Sequence, residues 1–253
     1  MDGVLSQEEI NALLNNNDAA DSSDEILTES EKDAIGEIAN ISMGTAATTL
    51  FSLVNRRVEI STPVVSFSNW DKIVDEYEKP CVFIKIGYTQ GLNGSNILVL
   101  KEKDVKIITD LMMGGDGTNI NGEIGELHLS AISEAMNQMM GSSATSLSSM
   151  LNRTIDISPP IAEVVDLKNT LNEGEIDSFL SEEFVKISFR MEIGDLVDSE
   201  IMQLYPPAFV KEMCKGVSQN MELDTQSVTE DVPQSSNTAT QAAPIQQPQD
   251  VGS

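Results

Sequence analysis

Two stretches of this sequence place a carboxylate and a carboxamide three residues apart, a spacing that puts both on one side of a helix. The pairs are Glu37 with Asn40 and Glu134 with Asn137. A carboxylate can pair with a lysine, and a carboxamide can hold one water molecule because it both donates and accepts hydrogen bonds. These residue types predict a site that directs water at an electrophile. Both roles make sense only if the electrophile, its metal and its lysine belong to a second protein.

Each pair is part of a longer polar stripe. At 100° per residue, positions i, i+4, i+7 and i+11 fall on one narrow strip of a helix. The stripe residues are Asp33, Glu37, Asn40 and Gly44 in the first stretch and Ser130, Glu134, Asn137 and Gly141 in the second. Apolar residues such as Ile35, Leu50, Ile132 and Leu147 occupy the rest of the circumference. We therefore predict two amphipathic helices that pack against one another and turn their stripes to solvent or to a partner.

The two stretches belong to an internal repeat. Residues 33–63 align without gaps on residues 130–160, and 15 of the 31 positions are identical. After them, periodicity predicts strands at 81–88 and 96–100 and a helix at 104–113 in the first copy. The second copy shows strands at 185–191 and 201–204 and a helix opened by Pro206 and Pro207. The predicted order is helix, strand, strand, strand, helix in each copy, which indicates one α/β domain, an α+β sandwich with a pseudo-twofold axis.

The ordinary explanation for such a stripe is the solvated face of an amphipathic helix. The duplication argues against it, because Glu, Asn and Gly recur while apolar neighbours differ, as Ile38 differs from Ala135. A glycine inside a helix also lowers helix stability and lets another backbone approach closely. We therefore predict catalytic roles for Glu37, Asn40, Glu134 and Asn137, and partner contacts for Asp33, Gly44, Ser130 and Gly141.

Charge and composition argue against several classes of function. The chain has 41 acidic and 15 basic residues, a formal net charge of −26, so nucleic acid is not an expected ligand. No signal peptide and no long apolar run is visible, so we expect a cytoplasmic protein without direct membrane insertion. His128, Cys81 and Cys214 form no recognisable nucleophile or metal motif, and no metal site is predicted.

The two ends of the chain differ from the repeat in composition. Residues 1–14 contain LSQEEINALL, in which Ser6 and Glu9 make a capping box and Leu5, Ile10, Leu13 and Leu14 give an apolar face. So short a helix is marginal in water, which indicates either a partner-binding peptide or a frayed helix docked on its own domain. Residues 15–30 predict a flexible acidic linker, residues 31–222 the duplicated domain, with repeats at about 31–115 and 128–222, and residues 223–253 a disordered tail.

The paired motif resembles that of a known family. Asp or Ser, then Glu, Asn and, with 22 residues between, Pro occur at Asp33, Glu37, Asn40 and Pro63, and again at Ser130, Glu134, Asn137 and Pro160. This pattern closely resembles the CheC, CheX and FliY family of response-regulator phosphatases. The two motifs and the amphipathic leader together resemble the family members of the flagellar motor switch. The resemblance implies a CheC-like domain whose two long central helices lie side by side on a β-sheet.

The resemblance also implies an activity, dephosphorylation of the aspartyl phosphate of the chemotaxis regulator CheY. In the family, Asn orients the attacking water and Glu contacts a lysine of CheY, so the expected Mg²⁺ belongs to CheY and no cofactor is bound by the chain itself. The leader, residues 1–14, would bind CheY. Further expected partners are the switch proteins FliM, FliG or a FliN-like protein, at the cytoplasmic face of the flagellar basal body.

Two other classes of function stay open from the residues alone. A non-enzymatic switch adaptor would use Glu and Asn only as contacts to CheY and rotor proteins. A small-molecule hydrolase has little support, because no self-contained site is visible. Family members with such a leader continue into a FliN-like domain, whereas this sequence stops in a linker-like tail. We therefore expect a further domain to follow, and no rotor assembly through it by the chain as given.

Overall fold

The computed structural model describes residues 26–76, 80–167, 174 and 176–217. The first repeat comprises α1 (Glu29–Val54), β1 (Val58–Ile60), β2 (Val64–Ser68), α2 (Trp70–Glu76), β3 (Cys81–Gln90), β4 (Gly94–Lys101) and α3 (Glu102–Met112). The second comprises α4 (Glu126–Leu151), β5 (Asp156–Ile157), β6 (Ile161–Val165), a 3₁₀ turn (Ser178–Ser181), β7 (Phe184–Ile193), β8 (Val197–Tyr205) and α5, residues 207–217. The four strands and the two later helices predicted from periodicity are confirmed.

The number of strands per repeat differs from the prediction. Each repeat has four strands and a short helical segment in the described residues, where three strands were predicted. The sequence located no strand between the long helix and the later strands of each repeat, where the structure has two. Of these, β1 and β5 have three and two residues and are too short to show alternation. Pro63 and Pro160 separate them from β2 and β6, because proline has no N–H to continue a ladder.

α1 begins at Glu29 because Thr28 caps it. The Thr28 hydroxyl accepts the N–H of Glu31 at 3.2 Å, and the Glu31 carboxylate accepts the N–H of Thr28 at 2.9 Å. Leu27, directly before the cap, is fully buried. Residues 26–30, which the sequence assigned to the flexible linker, therefore belong to the folded domain.

The sheet joins the two repeats by exchanging their first strands. Its order is β1-β7-β8-β4-β3-β5, with β2 also paired to β7 and β6 also paired to β3, and all these pairings are antiparallel. Strands β1 and β2 of the first repeat thus pair with the second repeat, and β5 and β6 pair with the first. Neither repeat completes its sheet alone, so the duplication forms one domain about an axis between β4 and β8.

The two long helices contact one another on this sheet through two hydroxyl–hydroxyl hydrogen bonds. Thr45 Oγ1 lies 2.7 Å from Ser146 Oγ, and Thr49 Oγ1 donates to Ser142 Oγ at 2.8 Å. The repeat alignment places Thr45 with Ser142 and Thr49 with Ser146, so the pseudo-twofold axis converts one contact into the other. The helices therefore run antiparallel. They lie side by side, as predicted.

Apolar side chains fill both faces of the sheet. The larger core cluster lies under α1 and α4 and contains Ile35, Leu50, Ile132 and Leu147, all of which are buried, so the predicted apolar faces are confirmed. A second cluster around Trp70, Phe83 and Phe184 packs on the opposite face. In the described part of the chain, no helix is both long and apolar enough to cross a bilayer.

Candidate active site

The first polar stripe lies beside the turn that leads into β2. Asp33, Glu37 and Asn40 are exposed on α1, and together with Thr62 and Pro63 they line a depression of about 370 Å³. The start of β2 lies against this part of α1, since a Cβ placed on Gly36 would be 3.6 Å from Val65 Cγ2. The structure thus brings the motif carboxylate, amide and proline to one concave surface, open to solvent.

The two stripe glycines have no packing reason within the described structure. A Cβ placed on Gly44 or Gly141 would meet no atom within 4 Å. Since a glycine inside a helix costs about 1 kcal/mol relative to alanine, its presence at both positions is unexplained by the fold itself. The open space above each glycine is the feature expected of a surface that another molecule approaches closely.

The second stripe has the same residue types in a different setting. Ser130 and Glu134 are exposed, whereas Asn137 and Gly141 are half-buried. The Glu134 carboxylate accepts a hydrogen bond from Gln138 Nε2 at 2.7 Å. The equivalent of Gln138 in the first repeat is Ile41, which has no donor. The prediction that both stripes face outward is confirmed, with the amide of the second stripe less exposed than that of the first.

The two sites are far enough apart to act separately. The hydroxyl contacts between the helices are centred on Ala47 and Ala144, and each motif Asn lies seven residues before that centre. In antiparallel helices with a rise of 1.5 Å per residue, Asn40 and Asn137 are therefore about 20 Å apart along the helix axes. One electrophilic group therefore cannot contact both Asn residues at once, and the two sites act on separate groups.

Sequence reasoning missed residues that differ between the copies. Lys32 lines the first depression, with Nζ 2.5 Å from Glu29 Oε1 and 5.1 Å from the centre of the Phe67 ring. The second repeat has Leu129 at that position, so the recurrence that singled out Glu and Asn gave no signal for Lys32. The donor Gln138 was missed for the same reason.

Other reactive side chains lie elsewhere in the fold. Burial raises the pKa of the Cys81 thiol and of the Cys214 thiol to about 11, so both are protonated and unreactive near neutral pH. His128 Nδ1 accepts the N–H of Gly125 at 3.2 Å and helps to begin α4. Among the described residues, no three His, Cys, Asp or Glu side chains form a group that could hold a metal ion.

The predicted leader contacts are in a part of the chain that the structure does not describe. Leu5, Ser6, Glu9, Ile10, Leu13 and Leu14 all lie outside the described residues. The tail after residue 217 does too. The roles predicted for these segments stay predictions.

The fold and the duplicated Glu/Asn helix define a CheC-like protein. The family model described as the CheC-like family matches residues 31–67 and 127–164, which are the two copies of the motif helix with the strands that follow. The crystal structure of FliY from Thermotoga maritima has a TM-score of 0.70 and 42% sequence identity, covering 77% of this chain and 99% of that one. The chain therefore belongs to the CheC-like family, in its FliY branch.

Other relatives agree with this assignment. The flagellar motor switch phosphatase FliY of Bacillus subtilis is 47% identical over 218 residues, which are 84% of this chain and 57% of that protein. This chain thus spans a little over half the length of that relative. The CheY-P phosphatase CheC of B. subtilis is 24% identical over 143 residues, 54% of this chain and 67% of CheC. FliM of Helicobacter pylori, seen in a complex with FliG, shares the fold with a TM-score of 0.60 at 15% identity, over 75% of this chain and all of that one.

Proposed function

We propose that this chain dephosphorylates the aspartyl phosphate of CheY, through two Glu/Asn sites that act independently. The observation that carries the proposal is the exposed stripe, in which a carboxylate, an amide and an open glycine recur on two pseudo-symmetric helices. Family membership supports it, because two relatives carry phosphatase names. Side chains with no packing function recur in this way when each makes the same external contact.

In the proposed reaction, Asn40 or Asn137 holds a water molecule by accepting one hydrogen bond and donating another. The water oxygen attacks phosphorus in line with the bond to the CheY aspartate. That bond breaks, so the aspartate leaves as a carboxylate and inorganic phosphate is released. Glu37 or Glu134 pairs with a CheY lysine and fixes the orientation of CheY. Charge on the phosphoryl oxygens is balanced by Mg²⁺ held by CheY, and this chain contributes position and orientation.

The proposed setting is the flagellar motor switch. The name of the B. subtilis relative supports this place, at the cytoplasmic face of the basal body, with FliM, FliG or a FliN-like protein as neighbours. An adaptor that binds CheY without hydrolysis is the second candidate. It is favoured by one observation, the exposure of both motif carboxylates, Glu37 and Glu134, which would suit docking alone.

The leader gives a prediction that separates capture from chemistry. Deleting residues 1–14 should weaken capture of CheY at low concentration, because a tethered peptide raises the local concentration of its ligand up to the millimolar range. Saturating CheY should restore the full maximal rate. Phosphate release measured across CheY concentrations checks this, and a maximal rate that falls to background would contradict the tether.

The proposed activity itself is tested by release of inorganic phosphate from phosphorylated CheY in Mg²⁺, with the chain at one tenth of the CheY concentration. A phosphatase turns over many times, so all of the phosphorylated CheY loses its phosphate faster than it would by its own hydrolysis. An adaptor at that ratio leaves the overall rate at CheY's own value, and this outcome would overturn the proposal.

A further inference from the structure

The two copies of the site differ in whether the residue one turn after the motif glutamate donates a hydrogen bond to its carboxylate. Glu134 accepts a hydrogen bond of 2.7 Å from Gln138, one turn further along α4. The first repeat has Ile41 at the equivalent position, and that side chain is 43% exposed. Isoleucine cannot donate a hydrogen bond, so nothing at this position can fix Glu37. The two sites therefore present the same carboxylate in two states of preorganisation.

The helix geometry indicates what the hydrogen bond does. Seen down α4, Gln138 lies about 40° from Glu134 on one side, and Asn137 lies about 60° away on the other. The hydrogen bond from Gln138 draws the Glu134 carboxylate to the side away from Asn137. There the carboxylate does not compete with the water molecule for the side-chain N–H of Asn137. A carboxylate has about four acceptor positions, so Glu134 can accept a hydrogen bond from a lysine of the partner in addition to the one from Gln138.

We propose that Gln138 is a positioning residue that fixes Glu134 for docking of the phosphorylated partner, and that the second site therefore docks it with less ordering cost than the first. The proposal rests on the function proposed above and deepens it. Ordering a flexible side chain at an interface costs about 0.5–1.5 kcal/mol, which corresponds to roughly 2- to 12-fold in affinity. Because the effect concerns docking, it belongs in KM and leaves kcat nearly unchanged.

The test uses the second site alone, in a chain that carries Asn40→Ala. Gln138→Met keeps the length of the side chain and removes its donor. We expect this change to raise KM for phosphorylated CheY by about 2- to 10-fold, with kcat within about twofold. The matched control is Ile41→Met in a chain that carries Asn137→Ala, where no hydrogen bond is lost and KM should stay within about twofold. An equal rise in both chains would overturn the proposal.

A double-mutant cycle shows whether Gln138 acts through Glu134. In a chain that also carries Glu134→Ala, Gln138→Met should leave KM unchanged, because the acceptor is already absent. A merely structural role of Gln138 would lower the stability of α4 and persist without Glu134. A KM effect that survives Glu134→Ala would therefore contradict a positioning role.

Affinity for CheY activated with beryllofluoride, a stable mimic of the phosphoryl group, separates this proposal from the proposed function. It is measured in chains that lack residues 1–14 and carry Glu37→Ala, so that binding by the leader and by the first site does not mask the second. If no variant releases phosphate from CheY but Gln138→Met still weakens binding at the second site, the adaptor function holds and Gln138 positions Glu134 for docking. If hydrolysis is normal and neither affinity nor KM changes, the phosphatase function holds and the role of Gln138 is wrong. Both quantities are measured on the same purified chains.

Discussion

Replacing Leu50 or Leu147 by Ala should destabilise the domain by about 2–5 kcal/mol, a loss that the free energy of unfolding in urea would report. The two side chains occupy equivalent positions on α1 and α4 and are 0% and 3% exposed in one continuous core cluster. Truncation removes three carbon atoms from water-free surroundings and leaves a cavity that neighbours fill only in part. The sheet requires both repeats, so we expect the whole domain to unfold in one transition.

An exposed residue on the same helix provides a control for this stability prediction. Thr48 is exposed on the same helix, so Thr48→Ala serves as the control and should change stability by less than about 0.5 kcal/mol. A loss below about 0.5 kcal/mol for Leu50→Ala and Leu147→Ala would mean that the apolar faces of the helices are not the packed faces.

Much of the architecture follows from local patterns in the sequence. The 3.6-residue periodicity of α1 and α4 determines which side is buried, and the repeat alignment shows that the two copies share one structure. Helix ends follow local chemistry as well: Asn55 and Asn152 both adopt a left-handed conformation, with φ of 49° and 47°, at the C-caps of the two helices. These features depend on residues close together in the chain.

Features that depend on distant residues were not predictable in the same way. The exchange of β1 and β2 for β5 and β6 between repeats depends on which sheet edges meet, and short strands carry no signal for their partner. The depression at the first site exists because the turn at Pro63 comes to lie along α1. The stripe itself was predictable, since it repeats, whereas Lys32 and Gln138 were not, since each occurs in one copy only.

Replacing both motif amides has the largest expected effect on activity. Asn40→Ala and Asn137→Ala should each leave partial phosphate release, because the other site still works about 20 Å away. The double variant should fall to about CheY's own rate, a loss on the order of 100-fold, since an amide that positions water contributes through orientation. Asn40 is exposed and Asn137 is half-buried, and neither is in the core, so stability should change by less than about 1 kcal/mol.

The motif carboxylates provide a contrast to the amides in the same assay. Glu37→Ala and Glu134→Ala should raise KM in addition to lowering turnover, because a carboxylate that pairs with the partner's lysine contributes to docking as well as to alignment. Loss of the amides should leave KM nearly unchanged. Identical kinetic profiles for the two sets of variants would contradict the division of roles between Glu and Asn.

The central claim is that the stripes perform hydrolysis and do not serve as a docking surface alone. The most direct test is phosphate release from phosphorylated CheY by the chain carrying both Asn40→Ala and Asn137→Ala, with affinity for CheY measured in parallel. We expect release to fall to CheY's own rate while affinity stays within about threefold of the unaltered chain. Full phosphate release by the double variant would mean that the stripes are a docking surface only, as in the adaptor.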